Sequence, residues 1–160
     1  MVNLCWASTG DIATLTHNPP SRYPILPALS LDGILHVTVI EEAFTDPKFT
    51  NFIKGLLLEM NPFPGKNPIL VMDNVVIHKA PRLQEIAKGR GVQLEYLSPY
   101  SPDFNPIEEA FSCIKTWIWK NDDWIRLQMK KDGAAATGLT YATLAAVTPT
   151  KAEGWFLHAG

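Results

Sequence analysis

The sequence is short of the features that announce several classes of protein. It has two cysteines, Cys5 and Cys113, far apart and outside any C-x-x-C. A disulfide framework or a zinc site is therefore not expected, and a reducing compartment is the default. No apolar run approaches the roughly 18 residues of a membrane span. The opening MVNLCWASTGDIATLTH lacks a basic stretch followed by an apolar one, so no secretory signal is expected either. A glycine-rich phosphate loop is absent, since GKNP at 65–68 is not one, and no small-molecule cofactor is expected. Ser101 has no histidine–acid motif around it, which leaves a serine hydrolase without support. Basic charge is not in excess: the net charge is −2 and the pI about 6.1. That argues against a free-standing nucleic-acid binder, while allowing a catalytic domain whose grip on DNA lies elsewhere.

What is present is a globular composition, 46% hydrophobic and 19% charged, over 160 residues, enough for one domain with a substantial core. Residues 1–21 carry little pattern and end at the breaker run Asn18-Pro19-Pro20-Ser21, with a short strand or none over Met1 to His17. RYPILPALS at 22–30 and ILHVTVI at 34–40 flank an Asp-Gly turn and predict an antiparallel hairpin. Asp46-Pro47 opens a helix with Phe49, Ile53, Leu56 and Met60 on one stripe. ILVM at 69–72 suits a central strand covered on both faces. A helix from Pro81 to Gly89 or Gly91 follows, then a strand with Val92, Leu94 and Tyr96 alternating. Prolines exclude regular structure from 98–105. Asn105-Pro106 starts a helix to about Asn121, with Ile107, Phe111, Ile114 and Ile118 inward. Helices over 122–131, 139–147 and from Pro149 complete the order, the last returning Trp155 and Phe156 to the sheet. This is a mixed α/β layer fold.

Two carboxylates stand at the ends of rigid elements. Asp73 ends the ILVM strand, and Glu108 begins the helix after Asn105; thirty-four residues, 74–107, separate them. Acids brought together in this way can hold a divalent metal for phosphoryl chemistry. Taken singly, each has a plainer reading: Asp73 as a loop or cap carboxylate, Glu108 as a first-turn glutamate favoured by the helix dipole. Glu108 lies at the edge of the buried stripe, and Glu109, a further 100° or so round the helix, is expected to face solvent more. His78 either orients a phosphate or water or heads a helix structurally. Asn74 bridges the site or caps the turn. His17, His36 and His158 read as structural or surface groups, Lys130-Lys131 as a solvated pair, and the five tryptophans as core.

Four stretches together resemble the catalytic domain of DDE transposases of the Tc/mariner superfamily: RYPILPALSLDGIL, NPFPGKNPILVMDNVVIHK, LEYLSPYSPDFNPIEEAFSCIKTWI and TPTKAEGWFLHAG. The middle two are the specific ones. The resemblance spans roughly 22–160, leaving 1–21 as a poorly defined N-terminal segment. It implies an RNase H-like mixed sheet flanked by helices, and DNA strand cleavage and transfer with two divalent metals, Mg²⁺ or Mn²⁺. By position, Asp73 matches the second and Glu108 the third carboxylate of the catalytic triad, with Asn74, His78 and Glu109 as auxiliaries. The implied partners are DNA, as transposon ends and target, with a homodimer left open and no membrane. In a eukaryote the implied location is the nucleus, otherwise the cytoplasm.

The sequence also departs from that family. The first carboxylate belongs upstream of RYPILPALS in an Asp-Glu-Ser-like run, and the only acid there is Asp11 in TGDIAT, a weak match. Nothing in the chain matches the helix-turn-helix that finds transposon ends. Two functional expectations follow: a DDE endonuclease domain with impaired chemistry, or a non-catalytic transposase remnant that at most binds DNA or protein. An RNase H-like nuclease without transposition is a third, weaker class. The first strand of the fold is expected to be missing, or replaced by the N-terminal residues.

Overall fold

β5, Ile69–Met72, decides which element lies on which side of the sheet. Successive strand residues point to opposite faces. Leu70 and Met72 enter one apolar cluster, while Ile69 and Val71 pack on a second. The first cluster holds α1 (Asp46–Glu59) through Phe49, Ile53 and Leu56, and α2 (Pro81–Gly89) through Leu83 and Ala87. The second holds α3 (Pro106–Lys120) through Ile107, Phe111 and Ile114, and α5 (Ala134–Ala146) through Leu139 and Ala142. The sheet is thus the middle of three layers. The computed structural model describes residues 4–7, 10–13, 22–73, 81–98, 105–131 and 133–159.

The remaining elements are β1 (Leu4–Ala7), β2 (Gly10–Ala13), β3 (Arg22–Ser30), β4 (Gly33–Val39), β6 (Gln93–Tyr96), α4 (Asp122–Met129) and α6 (Pro149–His158). The six-stranded sheet runs β2-β3-β1-β5-β6, with β4 also paired to β3. Ile25 pairs with both Gly10 and Val39, and Ala28 with both Ala7 and His36. β1 and β2 therefore lie end to end along one edge of β3, and β4 takes the other. β1 is antiparallel to β3 and parallel to β5, from Leu4↔Ile69 to Ala7↔Met72. The slot expected to be empty or refilled is occupied by residues 4–7, and the segment 1–21, read as one short strand or none, contributes two strands.

The hairpin forms where the Asp-Gly signal predicts it. Gly33 sits at φ 103°, a conformation costly for any side chain. The pairing shifts by one residue between Ala28 and Leu29, leaving Leu35 as a bulge. Its effect is visible in the layers: Ile34, Val37 and Val39 all pack on the second cluster, which strict alternation would forbid.

α5 begins at Ala134, five residues before the expected Leu139. Gly133 supplies the turn at φ 69°, and Ala134–Ala136 are strong helix formers. Gly138 obscures the pattern in sequence, but has a packing role: a Cβ there would come within 2.9 Å of the Gln128 Cβ on α4. Trp155 and Phe156 return to the second cluster as expected, and Trp117 and Trp124 pack on it too. Trp119 departs from the core reading, being 70% exposed. Among the described residues no helix is long and apolar enough to cross a membrane.

His36, read as a structural or surface group, has a packing role. Its ring lies 5.5 Å from that of Phe52, over Gly55, where an added Cβ would meet Nε2 at 2.8 Å. Burial lowers its pKa from the usual 6.5, and the Glu59 carboxylate partly offsets this. The folded state therefore favours neutral imidazole. This stabilisation is complete above pH 6.5 and is lost as the pH falls from there through the folded-state pKa. Urea unfolding of His36→Gln should accordingly show a smaller loss of stability between pH 7 and pH 5 than the parent chain.

Candidate active site

Asp73 directly follows β5 and is half-buried. By alternation it continues the series Ile69, Val71, which belongs to the α3 side of the sheet. The backbone there is still tied to its neighbour, since Leu97 N–H donates to the Met72 carbonyl at 2.9 Å. Asp73 therefore stands where the strand ends and the crevice of an α/β sheet begins.

Glu108 reaches the same side through α3. Asn105 is the N-cap: it is 6% exposed and its Oδ1 accepts from the Ile107 N–H at 3.2 Å. Pro106 fills the first helical position, where no N–H is needed. Ile107, Ala110, Phe111, Ile114 and Ile118 are all buried, and Val71 shares their cluster. The residue before Glu108 and the residue two before Asp73 thus belong to one apolar layer. The two carboxylates emerge on that side of the sheet, one from a strand end and one from a first helical turn.

The neighbouring glutamates differ from expectation in their exposure. Glu108 is exposed and Glu109 is half-exposed. The reason lies in α6, which packs beside α3 and brings His158 Nδ1 to 2.6 Å from Glu109 Oε1. No sequence signal foreshadows this pair, which joins residues 49 apart. Asn74 and His78, the other auxiliary candidates, lie outside the described residues.

Asp11 lies on β2 opposite Pro24, in the ladder that pairs Ala7 with Ala28. Ala7 is level with Met72, so Asp73 is one step past that level and Asp11 four. The difference of three steps is about 10 Å along the strand. The backbone at Asp11 is therefore not brought beside Asp73 and Glu108. The sequence after Ala7 reads Ser8-Thr9-Gly10, without an acid. Among the described residues, no group of three or more His, Cys, Asp or Glu is gathered as a metal site.

The family model for DDE superfamily endonucleases matches residues 6–128. The chain belongs to that superfamily. Solved structures agree on the fold. The Mos1 transposase paired-end complex with left transposon end matches over 98% of this chain and 55% of that one, at 12% identity and TM-score 0.62. The catalytic core domain of BIV integrase matches over 94% and 93%, at 16% identity and TM-score 0.60. A chain of the simian T-cell lymphotropic virus intasome in complex with PP2A regulatory subunit B56 gamma matches over 85% and 46%, at 13% identity and TM-score 0.62. The DDE domain thus has the RNase H-like fold of transposase and integrase catalytic cores, and spans about half the length of the Mos1 and intasome chains. No curated protein matches its sequence.

The cap is the most direct handle on this site. Asn105→Ala removes the acceptor for the Ile107 N–H and should cost about 1 kcal/mol in urea unfolding. Faster hydrogen exchange at the amides of Ile107 and Glu108 should accompany that loss, because the first turn frays.

Proposed function

We propose that this is the catalytic-fold domain of a DDE transposase-type protein that acts on DNA, with Asp73 and Glu108 as its metal-holding carboxylates. The observation that carries the reading is the shared layer: β5 delivers Asp73 to the side of the sheet on which α3 carries Glu108. Both groups offer hard oxygen donors, one half-buried and one open to solvent, which suits Mg²⁺ or Mn²⁺ held jointly by one or two carboxylates and substrate phosphates. Asp73, fixed by the strand, would set the depth of the ion. Glu108, at the positive end of the α3 dipole, would hold it from the helix side. A bound ion would supply Lewis-acid chemistry at a phosphodiester. Substrate DNA is carried over from relatives such as the Mos1 complex with its transposon end.

The same reading includes impairment. Two carboxylates neutralise less of a pair of dications than three do, and the Asp11 backbone is about 10 Å along the strand from the level of Asp73. Tight binding of a second metal is therefore not expected from these residues. The non-catalytic remnant remains the second reading, favoured by the occupied β1 slot and the acid-free run after Ala7.

Nicking of supercoiled DNA separates the two. The first reading expects slow Mn²⁺-dependent nicking that disappears in Asp73→Asn and in Glu108→Gln. Complete absence of nicking by the parent chain in Mn²⁺ would overturn it in favour of the remnant, as would nicking that survives both substitutions.

A further inference from the structure

Among the described residues β4 and β6 each have a single partner strand, and they are guarded very differently. β6 is four residues long, and its exposed positions are Gln93 and Glu95. β4 is seven residues, GILHVTV, with no lysine, proline or acid among them. Exposed strand edges are normally blunted by such residues or by bulges, because their free N–H and C=O groups recruit other strands. The Leu35 bulge blunts only the first half of β4. In the second half, Ile40 N–H donates to the Pro24 carbonyl at 2.9 Å. Antiparallel bonding alternates, so Thr38 and His36 also face β3, and the backbone groups of Val37 and Val39 point away from it. Among the described residues β4 has no second partner strand.

An open groove of about 630 Å³ lies along this half of the strand. Its floor is Thr38, Val39 and Ile40; one wall is α1, through Asn51 and Phe52, and the other is the start of α5, through Ala136. Glu41 and Glu42, which follow the strand in sequence, also line it. Lys48 sits 3.0 Å from Glu42 and balances that charge, leaving Glu41 as the unbalanced acid among the lining residues.

We propose that β4 is a docking edge for an extended polypeptide segment from a partner protein, which adds a strand on Val37 and Val39 and sets a lysine or arginine against Glu41. The backbone bonds supply affinity, and Glu41 supplies direction. Neither Asp73 nor Glu108 takes part, so the inference is independent of the proposed chemistry.

The test uses the isotopically labelled chain and two synthetic peptides of alternating valine and threonine, one ended by lysine and one by glutamate. The lysine peptide should shift the Val37 and Val39 amides and protect them from exchange, and the glutamate peptide should not. Val39→Pro removes an outward N–H that β3 does not use, and should abolish the shift at the Val37 amide. Glu41→Lys, an exposed change that spares the strand, should abolish binding of the lysine peptide. Equal response to both peptides, or none, would overturn the proposal. So would protection of these amides in the free chain that rises with its own concentration, since the occupant would then be a second copy.

Discussion

The packing of β5 against two different helical layers is the constraint on which the rest depends. A strand of four apolar residues, ILVM, satisfies both faces of the sheet at once. Leu70 and Met72 are each fully buried on the α1 side, and Val71 is 7% exposed on the α3 side. Because side-chain direction alternates strictly, the first residue beyond the strand inherits the α3 side. Asp73 is that residue. A slip of one residue would send the carboxylate to the opposite layer and expose the core residues beside it, so the register that stabilises the core also aims the acid. α3 is fixed on the same layer by a five-residue buried stripe and a capped first turn, and that turn carries Glu108.

The N-terminal strands fill the middle of the sheet. β1 satisfies the inner edges of β3 and β5, which would otherwise leave backbone groups unpaired in the middle of the molecule. Backbone pairing asks little of sequence, and LCWA meets the requirement. Metal chemistry asks for an acid at one level on one side of the sheet, and the run Ser8-Thr9-Gly10 contains none.

Much of this was legible in the chain itself. The hairpin, β5, α1, α2, α3 and α6 follow from alternation, helical stripes and the Asp-Gly, Asp-Pro, Asn-Pro and Thr-Pro signals, all local. Asp73 and Glu108 could be singled out from the ends of those elements and from the resemblance of their flanking motifs. What stayed hidden depends on partners distant in sequence. β1 and β2 are too short to show a period, and exist because β3 and β5 offer them edges. The start of α5 was obscured by Gly138, whose lack of a side chain matters only against Gln128 on α4. The relative exposure of Glu108 and Glu109 is set by His158, on a helix 49 residues away in sequence. Trp119 read as core because its neighbours Trp117 and Ile118 are, yet it points off the buried stripe.

Whether one side of the sheet presents Asp73 and Glu108 to a common cation can be read from Mn²⁺ titration of the isotopically labelled chain. Paramagnetic broadening falls steeply with distance from the ion. The first equivalent should broaden Asp73 and Glu108 together, and Asp73→Asn should abolish the effect at both. Broadening of one without the other, or broadening centred on Asp11, would contradict that arrangement.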